Sequence, residues 1–413
     1  MSELSRQETC TAVDFSTKDH YKTKVFPTPF HSRQEPLNHL KEWGRWADYL
    51  SPHAYTCSAM EYFACRSTCA VFDLTPMTKY RIGGPDALPY LNRLVTRDVG
   101  KIRQGRVGYS VWCGDDGRVI DDGTIFHLGE NDYRLCSQER HLDWLLTNTT
   151  GFDVSVAEET HQVAALALQG PTSCATLRKM GLEDIDSMKP FDIRHFDLDD
   201  TSVMVSRTGF TGDLGYELWI DPAHAELLWD RLFEAGRDHG IQAMGDEALQ
   251  LLRIEAGFIQ AGHEFMPAHE TVRSTHTRSP FELGLGWLVD FKKPNFNGRR
   301  ALAEEKRNGS KWRLVKLDIE GNKIANSSYI FADAKMKKGN IGFVTSAAWS
   351  PVCKQNVAIG TVQTPHGRVG SNVWVEVYYQ RELHWNREVA KATVVDKPFW
   401  FPPRRSATPP QPF

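Results

Sequence analysis

Two adjacent acids, Asp121 and Asp122, sit inside GDDGRVIDDGTIFHL (114–128), a run otherwise rich in β-branched and aromatic residues. Asp and Gly are depleted in strands, so Asp121-Asp122-Gly123 works against the sheet its neighbours favour, and something other than sheet stability would keep it there. A carboxylate fixed on a strand can stabilise a positive charge that develops beside it. The plainer alternative is a turn carboxylate satisfied by backbone N–H groups. Other patterns carry less. In HEFMPAHE (263–270) the histidines are six apart rather than the four that puts both on one helical face, and Pro267 would break the helix between them, so no metal site is expected. LGLGWLVDF (283–291) lacks the dinucleotide fingerprint, and neither a P-loop nor GxSxG is present, which removes phosphate-anchored cofactors and the usual serine hydrolases.

The elements that would position these acids alternate without a regular beat. TKYRIGG, GYSVWCG, RVIDDGTIFHL and DYRLCS read as short strands, with helices over 85–99 and 139–150. QVAALALQ reads as a strand turning at Gly170-Pro171 into a helix, TSVMVSRTGFTGDLGYELWI as two strands around a Gly-rich turn, and 222–240 and 246–258 as helices. Leu37, Leu40, Trp43, Trp46 and Leu50 fall at helical spacing after Pro36, predicting an amphipathic helix over 36–50. Strands interleaved with helices argue for an α+β class rather than a doubly wound sheet. From about residue 310 five short strands with turn signals suggest a small all-β domain, and the Pro-rich RRSATPPQPF suggests a loose end. Residues 1–305 are therefore read as an α+β region of two interleaved domains, 306–400 as a β-barrel and 401–413 as a flexible tail.

Composition bounds the function. With 413 residues the chain exceeds one small core. Lys and Arg number 49 against 52 acids, giving a net charge of -3, so no basic field exists to drive nucleic-acid binding. No run of about 18 apolar residues occurs, and the N-terminus is polar from the start without the apolar core of a signal peptide, so no membrane role and a cytoplasmic location are expected. Eight scattered cysteines without a CxxC pair read as reduced, mostly buried thiols.

Nine segments in order, TPFHSR (28–33), ACRSTCAVFDLTPM (64–77), GRVGYSVWCGDDGRVIDDG (105–123), LALQGPTS (166–173), RTGFTGDLGYEL (207–218), LLRIEAG (251–257), SPFELGLGWLV (279–289), FNGRRAL (296–302) and IGFVTSAAWSP (341–351), resemble the glycine-cleavage T-protein (aminomethyltransferase) superfamily. The resemblance covers roughly residues 28–400. It implies an aminomethyltransferase-like fold of three domains around a central folate channel, with a C-terminal small β-barrel, and tetrahydrofolate as acceptor of a one-carbon group. It also implies roles. Asp122 would point into the channel near N5 and N10 of the folate as the catalytic residue, its carboxylate stabilising the positive charge that N5 acquires, while Asp121, its strand neighbour, faces the other way. Tyr109 would line the pterin site, Glu217 would accept from the amino-pyrimidine edge, and Arg253 would lie close to the bound folate. Phe210 falls among the cofactor-binding positions. Without the resemblance, Tyr109 reads as a half-buried strand aromatic, Glu217 as a surface strand residue and Arg253 as a helix partner of Glu255 or Asp246.

The chain departs from the glycine-cleavage members at Pro76, where they carry His, at Phe126 and Phe210, where they carry Tyr, and at Leu249-Gln250, where they carry Arg-Asp. The folate-site acids are kept and groups elsewhere are changed, so the acceptor is read as kept and the donor as different. The expected activity is a tetrahydrofolate-dependent demethylase that moves a methyl group from a small methylated metabolite to N5, a betaine or sulfonium donor being favoured because it leaves as a neutral amine or sulfide. The alternatives are aminomethyl transfer from a lipoyl carrier protein and, third, a non-enzymatic folate binder. Against the third, the cysteine motif of the iron–sulfur-assembly relatives is absent from FIQAGHEF (258–265). The oligomeric state is not legible.

Overall fold

The computed structural model describes residues 24–409 apart from 273 and 338; the polar N-terminal stretch with Cys10 and the last four residues lie outside the described residues. In chain order the strands are β1 (Trp43–Trp46), β2 (Tyr49–Pro52), β3 (Cys69–Asp73), β4 (Thr78–Gly83), β5 (Arg106–Cys113), β6 (Val119–Gly129), β7 (Asp132–Ser137), β8 (Ser155–Glu158), β9 (Ala164–Gln169), β10 (Ile193–Leu198), β11 (Thr201–Ser206), β12 (Gly215–Ile220), β13 (Ile241–Ala243), β14 (Trp312–Ile319), β15 (Tyr329–Phe331), β16 (Asn340–Ser350), β17 (Gln355–Gln363), β18 (Asn372–Arg381) and β19 (His384–Val395). They form a five-stranded sheet β5-β6-β7-β4-β8, a six-stranded sheet β10-β11-β12-β9-β3-β13, a closed barrel β14-β17-β16-β15-β18-β19 and the hairpin β1-β2. The class is α+β, and the pairs of named strands are antiparallel except for β3 with β13. Because β3 joins the six-stranded sheet before the chain builds the other one, the two sheets are interleaved in sequence.

Alternation sorts the residues of each strand between two cores. On β9, Ala164, Leu166 and Leu168 pack outward under the helices Ser173–Lys179 and Ala225–Gly236. Ala165 and Ala167 face the opposite way, toward Phe126, Val107 and Cys136 of the five-stranded sheet. The two sheets thus face each other across one apolar cluster, and the small side chains of β9 lie on the inner face. The outer face of the five-stranded sheet, with Tyr80, Ile82, Trp112, Ile125 and Leu135, is covered by the helix Ala87–Leu94.

The barrel docks through Ile254, Val357 and Ile359 and through a buried charge network. Glu255, on the helix Asp246–Ala256, accepts from Tyr62 (2.6 Å), Ser350 of β16 (2.5 Å) and both Nε and Nη2 of Arg66 (3.0 and 2.6 Å). Arg66 also faces Asp213, which accepts from Arg404 (2.6 and 2.9 Å) and the Trp400 indole (2.9 Å). Two cations and two anions balance, which buried charges require. The described part of the C-terminal segment is therefore docked, contrary to the expectation of a loose tail: Arg404 is ion-paired and the Ala407 carbonyl accepts from Arg207 (2.5 Å).

A second correction concerns 36–50. Trp43–Trp46 pairs with Tyr49–Pro52 as a hairpin around Ala47 (φ 50°) and Asp48, not as a helix. The apolar spacing fits the helical period, and the tertiary contacts override it. Trp43 meets His31 while Trp46 meets Phe72, on opposite sides of the strand. Gly44 is disfavoured in a helix, and a Cβ there would lie 2.7 Å from the His53 ring. The helix Ser58–Ser67 and the short strands β3, β8, β10, β13 and β15 carry too little pattern to be read in advance. Among the described residues no helix is long and apolar enough to cross a membrane.

Replacing Arg66 by Met leaves Glu255 and Asp213 buried without their shared cation. The unfolding free energy should fall by about 3–5 kcal/mol in urea denaturation; a loss under about 1 kcal/mol would mean that apolar contacts alone seat the barrel.

Candidate active site

β6 carries the paired acids, and its register explains their placement. The pairing with β5 slips opposite Trp112 and Cys113, leaving Ile120 without a partner, a bulge immediately before Asp121. Beyond the bulge Val111 faces Asp122, Ser110 faces Gly123 and Tyr109 faces Thr124. Asp122, Thr124 and Phe126 therefore share one face of β6 with Tyr109 and Val107 of β5 beside them. Gly123 is required by close approach, since a Cβ there would sit 2.0 Å from the Cys136 carbonyl oxygen. The Asp-Asp-Gly insert is thus unbroken strand.

That face looks at β12. Trp219 meets Phe126 edge-on at 5.1 Å, and Glu217, two residues earlier, projects from the same side of β12 as Trp219. Asp122 and Glu217 hence extend from opposed sheets into one interior, with the Phe126–Trp219 contact closing one end. Tyr109 donates to Asp122 Oδ2 at 2.6 Å, and the Tyr109 carbonyl accepts from Arg97 at 2.6 Å. Trp287, 70% exposed, lies 6.4 Å from the Tyr109 ring at the open side. Glu217 accepts from Thr208 (2.5 Å) and Ser206 (3.4 Å).

Electrostatics mark the same residues. Asp122, Tyr109 and Glu217 are each only half-buried by surface, yet desolvation dominates all three. Groups that keep accessible surface while being stripped of bulk water line an internal space rather than the outside. Burial pushes the Glu217 carboxyl up to about 7 against the two hydroxyl donors. The Asp122 carboxyl is raised first by burial and then by the negative charge of Asp121, against the Tyr109 hydrogen bond. Burial likewise raises the Tyr109 hydroxyl well above its ordinary value, so it stays a proton donor.

Arg253 sits differently. It is buried and its guanidinium is engaged by Gln250 (2.9 Å), the Phe258 carbonyl (3.2 Å), Glu264 (2.7 Å) and Ser346 of β16 (2.8 Å). It pairs with neither Glu255 nor Asp246; it ties its helix to the following loop and to the barrel. Its bearing on the interior runs through Glu264, whose charge reaches Asp122. Phe210 lies on the loop between β11 and β12, stacked on Phe258 at 5.5 Å. Asp121 does face away from Asp122, as alternation predicts, but into the outer core with no exposure rather than toward water. Sequence reading missed Thr208, Glu264, Ser346 and His141, whose parts depend on partners far along the chain.

Two family models match the chain, the GCVT N-terminal domain over residues 34–293 and the glycine cleavage T-protein C-terminal barrel domain over 313–400. The chain belongs to the glycine cleavage T-protein family. Among its relatives is an aminomethyltransferase of Halothermothrix orenii, 34% identical over 352 residues that make up 84% of this chain and 94% of that protein. One from Caldanaerobacter subterraneus is 31% identical over 86% of this chain and 91% of its own length. A protein named trimethylamine-oxide aldolase, from Ruegeria pomeroyi, is 36% identical over 76% of this chain but only 40% of its own length. The solved structure of the glycine cleavage system aminomethyltransferase T from Bartonella henselae shares the fold, with a TM-score of 0.79 over 92% of this chain and 99% of that one at 23% identity.

Within this T-protein family member the raised Glu217 has a measurable consequence. Its folded-state pKa of about 7 exceeds the ordinary 4.5, so the stability linked to its proton is full below about 4.5 and is lost as pH rises to about 7. Glu217→Gln should therefore gain on the parent by on the order of 2 kcal/mol between pH 4.5 and 7.5 in paired urea titrations. A difference independent of pH would show that the carboxyl is not desolvated.

Proposed function

We propose that this chain moves a methyl group from a small methylated metabolite, of the betaine or sulfonium type, to N5 of tetrahydrofolate, giving 5-methyltetrahydrofolate. The observation that carries the reading is the desolvated Asp122 carboxyl, held by Tyr109 and facing Glu217 across the interior between the two sheets. Glu217 offers a carboxylate to the N–H edge of the pterin's amino-pyrimidine, a pairing of two parallel donors with two oxygens. Tyr109 and the exposed Trp287 supply rings along which a flat heterocycle can lie. Arg253 acts as a positioning residue that fixes Glu264 and the loop after its helix.

The chemistry follows from charge. The N5 lone pair attacks the methyl carbon, the carbon–sulfur or carbon–nitrogen bond breaks toward the onium atom, and the donor leaves as a neutral sulfide or amine. N5 is then a tertiary ammonium that still carries its proton, and Asp122 accepts that proton to leave the neutral N5-methyl amine. The reacting form is the ionised carboxylate: because its proton affinity is raised it is a stronger base than an ordinary aspartate, and its negative charge stabilises the cation as it forms. No acid is needed for the leaving group. The name of the Ruegeria relative points to a methylated nitrogen compound, which supports an onium-type donor. Pro76 and Leu249-Gln250 stand where glycine-cleavage members carry His and Arg-Asp, and Gln250 here serves to hold Arg253.

A second reading is aminomethyl transfer from a lipoyl carrier protein, favoured by the relatives named aminomethyltransferase that align over nearly their full length. Incubation with tetrahydrofolate and a panel of betaine, sulfonium, N-methylglycine and aryl-ether donors, read by mass, separates the two. 5-Methyltetrahydrofolate supports the first reading, and methylenetetrahydrofolate that appears only with an aminomethylated lipoyl carrier supports the second. Asp122→Asn should lower kcat by about 10²–10³-fold with the KM for folate changed only a few-fold. An unchanged kcat would remove Asp122 from the chemistry.

A further inference from the structure

Behind β6, on the side away from the interior, a second carboxyl is buried with no part in the transfer step. Asp121 has no exposed surface. It accepts from the backbone N–H of Asp122 (2.8 Å) and of Glu139 (3.3 Å) and from His141 Nε2 (2.8 Å). Ile120, Ile125 and Trp112 belong to the apolar cluster around it, and Trp112 meets His141 edge-on at 5.8 Å. His141 is buried too, its backbone N–H donates to the Tyr80 hydroxyl (2.7 Å), and its ring stands 5.0 Å from that of His269. Its Nδ1 is buried without a hydrogen-bond partner, which fits a tautomer with the proton on Nε2, toward Asp121.

We propose that Asp121 and His141 form a positioning pair that sets the basicity of Asp122 from behind the strand: the imidazole N–H favours the anionic form of Asp121, and the Asp121 carboxylate in turn bears on the carboxyl of Asp122 next to it. A buried anion in an apolar cluster is costly unless hydrogen bonds or a counter-charge satisfy it, and the His141 N–H with two backbone N–H groups supplies three donors to Asp121. Lys or Arg in the place of His141 would satisfy Asp121 but cancel its field at Asp122. A neutral imidazole gives the hydrogen bond and leaves the charge. Burial pushes the His141 pKa down to about 4, so it donates as the neutral ring across the physiological range. The other fields on the pair have the same sign: Glu270 acts on Asp121, Glu264 on Asp122, and Glu139, Asp143 and Glu270 on His141, whose neighbour His269 is also held toward its neutral form by burial. Burial raises the Asp121 carboxyl itself well above the usual carboxylate range, against the backbone N–H groups of Asp122 and Glu139, so the two acids titrate as a pair; where Asp121 is ionised its charge raises Asp122, second only to desolvation.

This rests on Asp122 being the reacting carboxyl, but its test does not need turnover. In protein labelled with 13C at aspartate carboxyls, the Asp122 signal, assigned by its loss in Asp122→Asn, is followed from pH 4 to 10. The parent should titrate in two steps, the mark of two interacting sites. In Asp121→Asn the midpoint should fall by on the order of one pH unit and become a single step. His141→Phe should move it part of the way in the same direction, and the acid limb of the turnover profile should follow. A single-step curve in the parent, or an unmoved Asp122 midpoint in a folded Asp121→Asn or His141→Phe variant, overturns the proposal. Shifted titrations without detectable methyl transfer would leave the pair standing and sink the functional reading instead.

Discussion

A carboxyl kept out of bulk water yet left with one open side is the constraint that the rest of this molecule serves. Asp122 reaches that state because two sheets turn their inner faces toward each other and fill the space between them unequally. Phe126, Trp219, Val107 and Cys136 close part of the gap, and the apolar residues that β9 adds to that cluster are the small Ala165 and Ala167. The remaining wall is polar: Tyr109 and Asp122 from one sheet, Glu217 with Thr208 from the other. Desolvation raises the proton affinity of both acids, and a positive charge arising between them would meet little competing water.

Holding two sheets and a barrel in such a relation takes more than apolar contact. Two buried charge clusters bridge the elements, one joining Arg66, Glu255, Asp213 and Arg404, the other joining Arg253, Glu264 and Ser346. Each includes a barrel residue, Ser350 or Ser346 on β16, and each includes a residue of the helix Asp246–Ala256. Buried ion pairs add little net stability against well-packed apolar groups, but they are strongly directional. A one-residue slip of that helix would strand several charges at once, so the clusters fix its register against both neighbours. The Arg253 guanidinium illustrates the point: it lies near the interior, and its hydrogen bonds are spent on the scaffold.

Much of the fold was legible because period-2 alternation and turn residues are local. Four strands of the five-stranded sheet, the β9-to-helix turn and five of the six barrel strands announce themselves in this way, whereas the short β8 and β15 do not. The hairpin at 43–52 was not, since Trp43, Trp46 and Leu50 stand at helical i, i+3, i+7 spacing, and only His31 and Phe72, distant in sequence, give the two tryptophans partners on opposite sides of a strand. The C-terminal segment misled for the opposite reason. Its Pro-rich composition looks loose, while Arg404 finds a buried acid 191 residues away.

For the site, the sequence by itself determined which groups are available: an Asp-Asp-Gly interrupting a strand, a tyrosine thirteen residues earlier, an acid after a Gly-rich turn, and a family resemblance that names their roles. Which way each side chain points was decided by tertiary structure. The bulge at Ile120 sets the phase that sends Asp122 inward and Asp121 into the outer core, and a slip of one residue would exchange them. Side-chain chemistry is written residue by residue, but desolvation and facing depend on strands far apart in the chain, and those exist only once the sheets have closed on one another.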